Sequence, residues 1–178
     1  DRKLEELALK SGGETYAFLC CVSYRQVMAG HKLIEDGKGE PVFLSKECDS
    51  NGCIGTVDIS YPSVPLFLCF APWLAKAMLR PVFEFARKPV WCFDFAPHDV
   101  GRYPYATGQI YGLLQENKWV EFTEEQGMIY PFYADYPDGR EVYDFRLQMP
   151  VEECGNMLIM TAAIGSVEGN ADFALPVM

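Results

Sequence analysis

The chain has 178 residues, 49% of them apolar, which is enough for one domain with a sizeable core. Its 15 basic and 25 acidic side chains leave a net charge of −10, which argues against sequence-independent nucleic-acid binding and against an anionic membrane surface as partner. No apolar run reaches the ~20 residues that span a bilayer, and the charged start "DRKLEELALK" lacks the apolar core of a signal peptide.

Residues 2–10 predict a short helix, and Glu14 to about Ile34 predicts a second one, apolar most of the way round and therefore buried. "SGGE" (11–14) and "EDGKGEP" (35–41) punctuate this part. "PVFLSKE" (41–47) reads as a short strand, and "CDSNGCIG" (48–55) as a turn with Asn51-Gly52 its strongest signal. Pro72, a good first-turn residue, opens a long helix. Its polar positions Lys76, Arg80, Glu84 and Arg87 form one solvated stripe. Pro81 removes a backbone bond inside that helix, and because the stripe continues in phase it predicts a kink and not a break. Residues 90–109, "VWCFDFAPHDVGRYPYATGQ", read as a structured loop. "MIYPFYADYPDGREVYDFRLQ" (128–148) reads as a β-hairpin around Pro137-Asp138-Gly139. "MPVEECGNMLIMTAAIGSVEG" (149–169) is a helix apolar on every face, with Glu152 and Glu153 in its first turn. There the helix dipole stabilises a carboxylate by ~0.3–1 kcal/mol, so a purely structural role accounts for the pair as well as a functional one does.

Seven cysteines at irregular spacing do not make a disulfide framework. Cys20, Cys21, Cys69 and Cys92 sit in apolar runs and read as small buried hydrophobes, compatible with a reducing compartment. Cys48 and Cys53 lack a CxxC companion, and the chain has only two histidines, His31 and His98, so neither metal nor cofactor is expected. "GRYPYATG" and "SNGCIG" contain glycines without the pattern of a phosphate loop.

The polar constellations are few. Asn156 follows Glu152 by four residues and shares its helix face, whereas Glu153 points about 100° away, toward Met157 and Met160. Burial there would raise the pKa of Glu153 and suit it to act as an acid. The expectation is that one glutamate is required and the other structural, with Glu153 the acid. His98 and Asp99 lie between Pro97 and Gly101, with Arg102, Tyr103 and Tyr105 close behind. These are components for a small polar ligand, although an aspartate bonded to its own turn explains the segment nearly as well. Asp58, in "TVDISYP" just before Tyr61, either meets substrate or caps the next helix. Ser45, Ser60 and Ser63 lack a recognisable nucleophile motif.

Three blocks, "FLSKECDSNGCIGTVDISYPSVPLFL", "APHDVGRYPYATGQIYG" and "MPVEECGNMLIMTAAIGSVEGNADFA", together resemble the central domain of the fungal glutaminase A family, which includes bacterial members; the likeness covers most of residues 12–175. The resemblance implies a helical toroid related to six-hairpin glycosidases, in a larger secreted or cell-surface protein, and L-glutamine hydrolysis. The cysteines do not exclude the cytoplasm. Twelve helices of ~11–12 residues with connections need more than 178 residues. The expected fold is therefore mainly α with minor β, a partial (α/α) six-hairpin toroid forming a single domain over 1–178, with residues 113–148 as an insertion carrying the β-hairpin. The expected function is part of a glutaminase that hydrolyses the side-chain amide to glutamate and ammonia. The catalytic candidates are Glu152, Glu153, His98 and Asp99, and the substrate-binding candidates are Asp58, Tyr61, Arg102 and Asn156. The alternatives are a glycoside-hydrolase-like domain working with a carboxyl pair, or a non-catalytic scaffold or binding domain of a larger surface protein. The expected partners are a small-molecule substrate (glutamine or a sugar), the remaining helices of a parent barrel, and a second copy through an exposed apolar face. The loop around His98 and the helix start at Glu153 are expected to meet at one cleft.

Overall fold

A computed structural model describes residues 2–49, 52–88, 91, 93–101, 103, 114–115, 118–119 and 148–177. The amino-terminal segment folds as α1 (Arg2–Ala29), divided at Gly13, whose φ of 78° and ψ of −172° lie outside helical space. A glycine reaches that conformation without steric cost, so it serves as the joint between the two expected helices. The second piece stops at Ala29, not near Ile34, because His31–Glu35 forms strand β1. Apolar periodicity over so short a stretch fits either element. Pairing decides it, since β1 lies antiparallel to β2 (Pro41–Ser45) with His31 opposite Ser45 and Glu35 opposite Pro41. The connecting turn is tied by Asp36 Oδ1, which accepts the backbone N–H groups of Lys38 and Glu40. The expected burial of the first segment is not met. Among its residues only Ala8 and Ala17 are buried, and Tyr16, Phe18 and Leu19 are exposed.

The helix α2 (Val57–Phe70) carries Pro62 and Pro65 in its interior. Each proline removes one backbone bond, a cost of ~3 kcal/mol or more in an ordinary helix. Burial of Val57, Val64 and Phe67 offsets it. The helix α3 (Pro72–Ala86) begins on its proline and continues through Pro81 without splitting. Its polar stripe is engaged and not simply solvated. Arg80 donates to the Pro41 carbonyl at 2.6 Å and pairs with Asp36 and Glu40, which locks α3 onto the β1–β2 turn. Lys76 pairs with Glu168 at 2.6 Å, tying α3 to the end of α4 (Pro150–Glu168).

Helices α2, α3 and α4 pack on one another, and β2 packs on α3. The core between them is built from Phe43, Leu44, Val57, Phe67, Met78, Phe85, Met160 and Ile164. The loop after α3 is ordered by aromatic contacts: Phe93 and Phe95 stack at 4.9 Å, and Trp91 Nε1 donates to the Phe95 carbonyl. The architecture is mainly α with a small antiparallel sheet. Within 113–148 the described residues show one short antiparallel pair, β3 (Leu114–Gln115) and β4 (Lys118–Trp119). The hairpin expected around Pro137-Asp138-Gly139 lies outside the described residues.

Cys20, Cys21, Cys48, Cys69 and Cys154 are free thiols. Cys53 is buried and Cys20 and Cys21 half-buried, but Cys69 is exposed, contrary to the expectation of a buried hydrophobe. It faces out on α2, whose buried residues include Val64 and Phe67. The α4 helix is likewise open on one side, with Val151, Leu158, Ile159 and Val167 exposed. No helix among the described residues is long and apolar enough to cross a membrane.

Candidate functional site

Backbone pairing brings the site together. The Ile54 N–H donates to the Gly101 carbonyl, Val100 N–H to the Ile54 carbonyl, and Val57 N–H to the His98 carbonyl. The segment leading into α2 thus runs against the 98–101 loop, and Asp58, in the first turn of α2, arrives beside His98. Gly55 makes the approach possible. Its φ is 61°, and a Cβ there would stand 2.6 Å from Val100 Cγ2. The same loop is stitched to α4: His98 N–H donates to Gln148 Oε1 at 3.2 Å, and Ala96 N–H to Cys154 Sγ. Between them Met149 holds a left-handed conformation (φ 49°, ψ 55°), the one non-glycine with positive φ among the described residues. Pro150, whose missing N–H costs nothing at a first helical position, starts α4 immediately after it.

The result is a cluster of Asp58, His98 and Glu153, with one ligand atom of each within 4.8 Å of the others. Asp99 and Glu153 are fully buried, and His98 is nearly so. His98 Nδ1 lies 2.8 Å from Asp99 Oδ2, while Asp99 Oδ1 accepts the Gly101 N–H. A carboxylate can only accept, so Nδ1 carries the proton and Nε2, on the opposite edge of the ring, faces Asp58 Oδ1 at 4.0 Å. Glu153 Oε2 accepts from Asn156 Nδ2 at 3.4 Å. Glu153 Oε1 and Asp58 Oδ1 are buried and have no hydrogen-bond partner among the described residues.

Electrostatics follow from this crowding. Burial pushes the Glu153 carboxyl up from 4.5 to about 7, and the charge of Asp58 adds to the rise, while His98 and the Asn156 hydrogen bond oppose it. The helix dipole at the start of α4 is too weak to cancel this desolvation. Burial also raises Asp58, against the pull of His98. For His98, burial disfavours the charged ring, but the Asp99 bond and charge, helped by Asp58 and Glu153, outweigh it and raise the pKa.

The structure thus brings together Glu153, His98, Asp99, Asp58 and Asn156. Glu152 is exposed on the surface of α4, and Asn156 turns to Glu153, not to Glu152 whose face it shares in sequence. Tyr61 lies on α2 and is exposed. Arg102 lies outside the described residues. Gln148, fully buried and bonded to His98, was missed. Nothing in the run before Met149 singles it out. The loop and the helix start meet, but the hollow at their junction is not the one shared cleft expected for the cluster. An open apolar hollow of about 350 Å³ lies at their junction, lined by Phe93, Phe95, Pro97, Cys154 and Met157, the neighbours of the cluster and not the cluster itself.

Two curated relatives match over most of the chain. It is 29% identical over 174 residues to "Glutaminase A" of Aspergillus oryzae, covering 97% of this chain and 20% of the relative. It is 32% identical over 155 residues to a "probable glutaminase" of Arthroderma benhamiae, covering 86% of this chain and 14% of the relative. The chain therefore spans a fifth or less of the length of these relatives. No solved structure matches it significantly. The family model of the "Glutaminase A six helical-hairpin domain" matches residues 13–177, and its helical hairpins agree with the mainly helical architecture; the chain belongs to that family.

Proposed function

We propose that this domain carries the proton-handling centre of a hydrolase that converts L-glutamine to glutamate and ammonia. The observation that carries the reading is the convergence of Asp58, His98 and Glu153, drawn from three separate segments, with buried oxygens of both carboxyl groups unpartnered. The names of the two relatives support the substrate. Hydrolysis of an unactivated amide needs a base to take a proton from water and an acid to give one to the departing ammonia. His98, oriented by Asp99, is the base. Glu153, which burial keeps partly protonated near neutral pH, is the acid. Asp58 sits opposite both and helps to hold water or the substrate amide. Asn156 and Gln148 fix the glutamate and the loop backbone.

The test compares Glu153→Gln and Glu152→Gln in the full-length parent protein. Loss of ammonia release by ~10²–10⁴-fold in the first, with the second near wild type and both folded, supports the reading. Equal activity in both variants overturns it.

A second reading rests on the spacing of the carboxyl groups. Oxygens of Asp58 and Glu153 lie within 4.8 Å of each other, near the ~5–5.5 Å separation of retaining glycosidases. A panel of glycosides run beside glutamine separates the two.

A further inference from the structure

Two buried carboxylate oxygens in the cluster have no hydrogen-bond partner among the described residues. Glu153 is fully buried, its Oε2 is taken by Asn156, and its Oε1 has no hydrogen-bond partner among the described residues. Asp58 Oδ1, on another helix, is equally buried and equally unpartnered. A buried polar atom without a partner costs about 1–3 kcal/mol, more for a charged group. One oxygen of each carboxyl and one nitrogen of His98 lie within 4.8 Å of one another, a spacing that a single bound ion could bridge.

The third member has the form that a metal-binding histidine takes. Its Nδ1 is held by the Asp99 carboxylate, which fixes the ring orientation and leaves Nε2 on the side of Asp58, 4.0 Å from its Oδ1. Carboxylate–histidine pairs of this kind orient and strengthen imidazole ligands in metal sites. Asp99 is itself held by the Gly101 N–H, so the support continues into the backbone.

We propose that Asp58, His98 and Glu153 form a binding site for a divalent transition-metal ion of the zinc or manganese type. One imidazole nitrogen and two carboxylate oxygens suit such ions, whereas calcium and magnesium prefer oxygen alone. The geometry is close to what is needed. Metal–ligand distances of ~2.0–2.2 Å place tetrahedral ligands about 3.4 Å apart. The three atoms here lie within 4.8 Å of one another, so side-chain movements of about 1 Å close the site. Three protein ligands leave at least one position open to water or another small ligand.

The proposal concerns the same cluster as the proposed function and rests on reading it as the reaction centre. It adds a regulation of that centre. Asn156 already donates to Glu153 Oε2, so a proton on this carboxyl belongs on Oε1, the atom that the ion would occupy. Ion and proton therefore exclude each other, and an ion in the site removes the acid.

The test uses the full-length parent protein, stripped with a chelator and dialysed against Zn²⁺ or Mn²⁺, with Ca²⁺ for comparison. Metal per chain is measured by elemental analysis. The expected result is one equivalent of zinc or manganese in wild type and in the surface variant Glu35→Gln, lost in Asp58→Asn and in Glu153→Gln. Asp58→Asn keeps the test decisive if the buried Glu153 variant fails to fold. Equal metal content in wild type and Asp58→Asn overturns the site. Ammonia release separates this failure from failure of the functional reading. Stripped protein that is active, loses activity with Glu153→Gln and takes up no ion refutes the metal site alone. Stripped protein that is inactive, and active when loaded, upholds the site and refutes Glu153 as the acid.

Discussion

His98 Nδ1 stands 2.8 Å from Asp99 Oδ2, and this bond decides which edge of the imidazole is available for chemistry. Because Asp99 is buried and also accepts the Gly101 N–H, it cannot turn away to release the ring. In the proposed function Asp99 is thus a positioning residue, and the reacting edge of the pair is that of His98. The variant Asp99→Asn keeps an oxygen for Gly101 but can present an amide N–H to Nδ1. The ring then carries its proton on Nε2, the wrong edge. Ammonia release by the parent protein is expected to fall by ~10²-fold or more. The acidic limb of the pH–rate profile should move down with the His98 pKa, because the raising influence of Asp99 is gone. An unchanged rate and profile would show that the pair is only a turn-stabilising device.

The elevated pKa of Glu153 has a thermodynamic counterpart. A carboxyl at about 7 in the folded protein and 4.5 when exposed binds more proton in the folded state between those values. Stability therefore falls as pH rises through that window, which is the opposite of an ordinary ion-paired carboxylate. The shift corresponds to a loss of up to about 3 kcal/mol between pH 4.5 and 8. His98 acts with the same sign: its contribution is complete below 6.5 and is lost as pH climbs through its raised folded value. In chelator-treated parent protein, Glu153→Gln should flatten the decline and overtake wild type in melting temperature near pH 8. Parallel curves for the two proteins across pH 5–8 would contradict this.

Much of the site was legible where local pattern decides structure. The helix α4 was visible because Pro150 opens an uninterrupted apolar run. The divergence of Glu152 and Glu153 followed from 100° per residue, and the structure buries one and exposes the other. What brings Asp58 to His98 was not legible. It depends on backbone pairing between Ile54 and Val100, 46 positions apart in sequence, and on a helix whose two prolines hide it from any propensity argument. Strand β1 was lost for a related reason, since only its pairing with β2 distinguishes it from a helix end. The exposure of α1 was invisible because periodicity tells which face seeks cover, not whether the covering element is present, whereas an exposed apolar face at α4 was expected because so short a chain cannot close around that helix.

Gly55 offers a test of the packing that assembles the site. Alanine there must adopt a φ of 61° and place its Cβ 2.6 Å from Val100 Cγ2. The left-handed conformation alone costs roughly 1–2 kcal/mol, and the collision forces the loop carrying His98 away from α2. Gly55→Ala is expected to destabilise by about 2 kcal/mol or more and to lower activity. Gly37→Ala, where an added Cβ meets nothing, serves as the comparison and should be near neutral. The double variant Gly55→Ala with Val100→Ala should recover part of the activity by removing the collision. If Gly55→Ala matches Gly37→Ala, the close approach is not a determinant of the site.

The exposed apolar faces lead to the last prediction. On α4, Val151 is 88% exposed and Leu158 71%, and with the exposed Ile159 and Ala162 they form one side of the helix. Phe18 on α1 and Phe70 at the end of α2 are 66% and 68% exposed. Contiguous exposed apolar surface of this kind marks an interface. The chain spans a fifth or less of the length of the relatives it matches, and in those proteins further chain is available to cover a face of this kind. Produced by itself, residues 1–178 should self-associate at tens of micromolar concentration and bind a dye specific for apolar surface. Val151→Glu with Leu158→Glu should reduce both effects and leave the melting temperature of the isolated domain unchanged, because neither side chain is in its core. In the full-length parent protein the same pair should lower stability by several kcal/mol, since each glutamate would then be buried without a partner. Sedimentation of the isolated chain as a clean monomer without dye binding, together with a parent protein indifferent to both substitutions, would show that this face of α4 is open to water in both.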